Sequence, residues 1–131
     1  MTERAERLRA HIDAAQGAPV IGADDCGPWV ASWIERETGK RLIFPPYKDS
    51  EQAYAMAAEA GGMVEFVSPM MSAIGLWETS IPELGDVGII RLSDRDTAAI
   101  FCGNGVVVIR DERLGSRYMQ VRGFLKAWSV P

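Results

Sequence analysis

The spacing of apolar residues changes period near Gly85-Asp86, and this change fixes the fold class. Upstream, apolar positions recur every three or four residues. Ala5, Leu8, Ile12 and Ala15 form one stripe, Trp29, Val30, Trp33 and Ile34 a second, and Ala53, Met56, Ala57 and Ala60 a third. That spacing is the inner face of an amphipathic helix. Downstream, short apolar runs at Val87 to Leu92, Thr97 to Cys102, Val106 to Arg110 and Arg117 to Val121 are separated by turn residues. Gly103-Asn104-Gly105 is a tight hairpin signal, because its residues accept positive φ. Helices first and an antiparallel meander afterwards predict an α+β domain with a sheet of four or more strands.

The punctuation sets the element boundaries. The first helix spans residues 3–15, with a polar start at Thr2, and stops at Gly17 with Pro19 beyond. The second runs from Cys26 to about Thr38, before Gly39. Residues 40–44 are a short apolar segment ahead of Pro45-Pro46. Asp49 caps the third helix, with Gln52 at the capping-box position, and Gly61-Gly62 ends it. Met63 to Val67 reads as a turn or two of helix broken by Pro69, and residues 70–82 carry no clear period. Phe124, Leu125 and Trp128 read as closing apolar contacts. Trp29, Val30, Trp33, Ile34, Ile89, Ile100 and Val107 are the expected core.

Composition excludes several function classes. At 131 residues the chain suits a single domain over 1–131, and 47% hydrophobic residues excludes disorder. No apolar run is long enough to span a bilayer. The charged N-terminus lacks an apolar h-region, which reads as no export signal of its own. A formal charge of −4 without a basic run argues against nucleic acid. Two cysteines make no disulfide framework, and no motif calls for a cofactor or a metal.

One stretch carries chemistry. In Val20 to Val30, Asp24 or Asp25 is positioned to cap the second helix, and Pro28 fits just inside its start. Cys26 then sits at the positive end of the helix dipole, where a thiolate is favoured. The blander role for such a cysteine is a small apolar filler. His11, the only histidine, lies at the edge of the first helix's apolar stripe and reads as a flanking residue.

Asp25-Cys26-Gly27-Pro28-Trp29-Val30, then Gly85-Asp86-Val87-Gly88-Ile89-Ile90, then Thr97 to Gly105, resemble in order and pattern the NlpC/P60 branch of the papain-like cysteine peptidases. Those enzymes cut peptide bonds of bacterial cell walls. The resemblance covers about residues 20–110. More closely, the whole chain is similar to a family of small phage and prophage proteins of that fold, found among tail-assembly genes. The early helix, Gly22-x-Asp24-Asp25-Cys26, Thr38-Gly39, Pro46-Tyr47, Gly61-Gly62, Gly85-Asp86-Val87 and the closing Ala127-Trp128 carry that second likeness. It implies a papain-like, NlpC/P60-type domain, with helices packed on the C-terminal sheet. Cys26 would stand at the nucleophile position and Thr97 at the position of the catalytic histidine. The residue orienting that histidine would fall near Val108 or Ile109, both apolar.

Threonine neither generates a thiolate nor protonates a leaving amine near neutral pH. Asp24 and Asp25 oppose ionisation of Cys26 by like charge. The expectation is therefore a non-enzymatic structural or adaptor component of a phage or phage-like tail tip, located in the virion tail. Its partners would be other tail or hub proteins, with peptidoglycan peptides as a further ligand class. Trp77, Met70, Met71 and Phe44 are candidate interface residues, although core is the commoner fate of such side chains. The alternative is a working peptidoglycan-cleaving cysteine peptidase or amidase. It would use Cys26 with an unusual base: His11, a carboxylate such as Asp96, or a histidine from a partner.

Overall fold

The computed structural model describes residues 3–15, 17–21, 25–111 and 113–131. The proposed capping role of Asp24, the polar start at Thr2 and the trait residue Gly22 lie outside the described residues. Four helices come first: α1 (Glu3–Ala14), α2 (Cys26–Thr38), α3 (Ser50–Ala60) and α4 (Met63–Ala73). Six strands follow: β1 (Trp77–Glu78), β2 (Val87–Arg91), β3 (Asp96–Gly103), β4 (Val106–Asp111), β5 (Gly115–Gln120) and β6 (Lys126–Ser129). They form one antiparallel sheet in the order β1-β6-β2-β3-β4-β5. The protein is thus α+β, and the expected core residues Trp29, Val30, Trp33, Ile34, Ile89, Ile100 and Val107 are all buried. No described helix is long and apolar enough to cross a membrane.

The central helix α2 buries Trp29, Val30, Trp33 and Ile34 against the sheet residues Val87, Ile89 and Ile100. The Trp33 side chain is fully buried, and its indole N–H donates to the Gly85 carbonyl at 2.8 Å. This bond ties α2 to the turn that opens β2. Asp86 follows, and its buried carboxylate accepts the N–H groups of Glu83 at 2.8 Å and Val130 at 3.0 Å. Arg4 of α1 closes the same corner by donating to the carbonyls of Val130 and Pro131 and to Glu37 of α2. Ile90, Ala99, Phe101, Val107, Ile109 and Ala127 form a second cluster, with Phe124 edge-on to Phe101 at 5.5 Å. Gly88 lies where strands crowd: a Cβ there would stand 2.6 Å from the Lys126 carbonyl oxygen and 2.8 Å from the Phe101 ring.

Three expectations need correction. Helix α4 continues through Pro69 to Ala73 rather than breaking there. Proline forgoes one backbone bond, but Val67 and Met71 on either side are buried and hold the turn. Of the closing apolar residues, Trp128 is buried and Phe124 packs on the second cluster, but Leu125 is exposed, and Lys126–Ser129 is a strand that inserts between β1 and β2. Thirdly, Asp25 occupies the N-cap position of α2 with extended backbone, yet its side chain makes no capping bond. Its carboxylate is drawn instead to the Tyr47 hydroxyl, which donates at 2.6 Å.

Candidate functional site

The N-terminus of α2 meets the start of β3 and the end of β4 beneath α3 and α4, and a cavity of about 60 Å³ opens there. Cys26 is the first residue of α2, so its sulfur lies among the unpaired N–H groups of the first turn. The Thr97 hydroxyl and the backbone N–H groups of Ala98 and Gly27 make hydrogen bonds to that sulfur. The two residues matched to nucleophile and histidine are therefore brought together. Aromatic and thioether side chains from the covering elements close the hollow: Phe44, Tyr54, Met56, Met63 and Phe66. Tyr47, held on Asp25, stands on its wall.

Electrostatics in the hollow disfavour ionisation. Burial pushes the Cys26 thiol above its ordinary value, and the Asp25 charge adds to this; the bonds from Thr97, Ala98 and Gly27 pull the other way without overcoming it. Burial and the bond to Asp25 likewise push Tyr47 upward, so its hydroxyl stays a proton donor. A neutral thiol, a threonine hydroxyl and a tyrosine hydroxyl can bind a ligand by hydrogen bonds. None of them is a base at neutral pH.

The other candidates lie elsewhere. His11 is half-buried in the seam between α1 and α2, stacked on Trp29 with ring centroids 5.3 Å apart. Its Nε2 lies 3.3 Å from the Trp29 carbonyl and 3.2 Å from Ser32 Oγ, and Nδ1 lies 3.4 Å from Arg36. Asp96 pairs with Arg91 and does not line the hollow. Val108 and Ile109 are both buried, and Ile109 forms part of the wall. The cysteines are free, with Cys102 half-buried on β3 and its thiol pushed up to about 11 by burial. Among the interface candidates, Trp77 is 81% exposed, Met71 is buried, and Met70 and Phe44 are half-buried.

Two site residues escaped the sequence reading. Tyr47 figured only in the Pro46-Tyr47 likeness, with no chemical role assigned to it. Arg110, at the end of β4, is buried; it donates to the carbonyls of Ala15 at 3.2 Å and Gly17 at 3.0 Å. It lines the hollow and lies 6.0 Å from the Trp29 ring. Nothing in a strand ending Val-Ile-Arg-Asp distinguishes such an arginine from a solvated one.

What these features define is a small α+β domain with a thiol-bearing hollow at a helix N-terminus, set against an antiparallel sheet. The model of a family described as a domain of unknown function, DUF6950, matches residues 1–130. The chain belongs to that family. No curated protein matches it.

Proposed function

We propose that this protein is a non-hydrolytic structural or adaptor component of a bacteriophage or phage-like tail tip, built on a degenerate papain-like scaffold of the NlpC/P60 type. The hollow at Cys26 holds a ligand and does not cut it. One observation carries the reading: the sulfur of Cys26 faces the Thr97 hydroxyl, where a cysteine peptidase needs an imidazole. The only histidine of the chain is engaged in the α1–α2 seam with Trp29, Ser32 and Arg36. The raised thiol pKa supports the same conclusion, since thiols activated for catalysis are shifted downward.

Three measurements test it. Incubated near pH 7 with cell-wall peptides, the protein should release no fragments, and Cys26 should react slowly with a thiol-directed electrophile. Mass spectrometry of purified tail particles should find the chain among their constituents. Rapid cleavage lost in Cys26→Ser would establish the peptidoglycan-cleaving alternative, and absence from mature particles would remove the structural role.

A further inference from the structure

A second cavity opens beside the hollow. It holds about 650 Å³ and lies between the β2–β3 turn and residues 117–123. Leu92, Arg95 and Asp111 line both cavities, so the two share a wall. Their chemistry differs. The hollow is small and mostly apolar, whereas Arg91, Arg95, Arg117 and Arg122 line the groove against two carboxylates, Asp94 and Asp111. Counting Asp96, which pairs with Arg91, the groove carries one positive charge in excess on a chain whose formal charge is −4. Arg91 pairs with Asp96, and Arg117 pairs with Asp111 at 3.2 Å. Both arginine side chains are exposed and within reach of a ligand's carboxylate, while their partners Asp96 and Asp111 are mostly buried. Half-buried Leu92, Met119 and Val121 give the groove an apolar lining.

We propose that hollow and groove form one docking surface for an extended, acidic segment of a partner protein. A single small apolar side chain of the segment enters the hollow at Cys26, and its carboxylates lie along the arginines. The inference rests on the non-hydrolytic reading above and names the kind of partner. Charge complementarity sets the sign of the segment. The volume of the hollow, about 60 Å³, admits one short side chain and no folded element. The adjoining hollow is lined by Phe44, Met56, Met63 and Phe66 and takes a hydrocarbon side chain, which a peptide carries and a phosphate backbone does not.

The test uses the full chain and three pools of labelled octapeptides with the same central leucine, alanine and valine content. Their flanks are Glu/Asp, Gln/Ser or Lys/Arg, and binding is read by fluorescence anisotropy. The acidic pool should bind about tenfold more tightly than the basic pool at low salt, and the margin should shrink at about 0.5 M salt. Arg117→Gln combined with Arg122→Gln should abolish most of the preference; both side chains are exposed, and circular dichroism checks the fold. Replacing the central apolar residues by glycine should weaken the acidic pool about as much. Equal binding of the three pools, or tighter binding of a labelled oligothymidylate than of the acidic pool, overturns the docking surface and leaves the non-hydrolytic reading standing. Cleavage of a bound acidic peptide does the reverse.

Discussion

Helix α2 borders two polar environments that differ in kind. On one flank, the seam with α1 holds an imidazole, a guanidinium and a serine hydroxyl, packed on Trp29 and Trp33. At its N-terminus, the hollow holds a thiol, a threonine hydroxyl and a tyrosine hydroxyl. A cysteine and a histidine are both present, but Cys26 lines the hollow at the start of α2 whereas His11 comes from α1 and packs on Trp29, outside the hollow's lining. In the seam the imidazole joins α1 to Trp29, Ser32 and Arg36 of α2, and Arg4 ties the same helix pair to the sheet corner. In the hollow the polar groups surround open space. Stability should therefore reside in the seam, and chemistry of any kind in the hollow.

The largest test of that division is Trp33→Ala. It removes a fully buried indole and its bond to Gly85, and should cost about 4 kcal/mol in urea unfolding. A loss below about 1 kcal/mol would place the anchor elsewhere. Next comes Asp86→Ala, which strands the N–H groups of Glu83 and Val130 in a buried corner and should cost about 2–4 kcal/mol. If the variant unfolds at the wild-type denaturant midpoint, the corner is not a fastening point.

In the hollow the effect should appear in reactivity and not in stability. Thr97→His sets an imidazole against the Cys26 sulfur and permits a thiolate–imidazolium pair. Alkylation of Cys26 near pH 7 should rise about tenfold, with Cys102 as an internal reference whose rate stays fixed. Peptide turnover should remain absent, because Val108 and Ile109 offer no polar group to orient the ring. An unchanged alkylation rate in a folded variant would mean that residue 97 does not govern the sulfur.

The division also explains what was legible beforehand. Trp29, Val30, Trp33 and Ile34 announce α2 because burial imposes a period, and Gly39 ends it in a left-handed conformation at φ 74°. The approach of Cys26 to Thr97 was expected only through the resemblance to the NlpC/P60 peptidases, not from the period or spacing of the residues. Three features were hidden because they depend on distant partners. Asp25 has the local chemistry of a cap, but Tyr47, 22 residues away, competes for its carboxylate. Arg110 is buried because two carbonyls more than 90 residues away meet it. Lys126–Ser129 is too short to show a period, and only its place between β1 and β2 makes it a strand. Local pattern reveals what the backbone does for itself, whereas a site assembled across the chain leaves a fainter trace.

The smallest expected effect concerns pH and belongs to the seam. Burial lowers the His11 pKa below its ordinary value near 6.5, and the neighbouring Arg36 charge acts in the same direction; the Trp29 carbonyl and the Glu37 charge oppose them without reversing the shift. The contacts explain why the neutral ring fits. Nε2 donates to the Trp29 carbonyl while Nδ1 accepts from Arg36, so a second proton would point at a guanidinium. The unfolded chain then binds this proton more readily than the folded one. Stability contributed by neutral His11 is complete above the unfolded value and declines as pH falls from about 6.5 toward the lower folded value. Carboxylates held down by arginines, such as Glu37 beside Arg7 and Arg4, withdraw their own contribution only in the acid range below this window. Urea midpoints measured between about pH 7.5 and pH 5.5 should therefore fall in the wild type and stay nearly level in His11→Gln. Equal slopes in the two proteins would show that the seam admits the imidazolium freely, and the contrast between a closed seam and an open hollow would lose its electrostatic half.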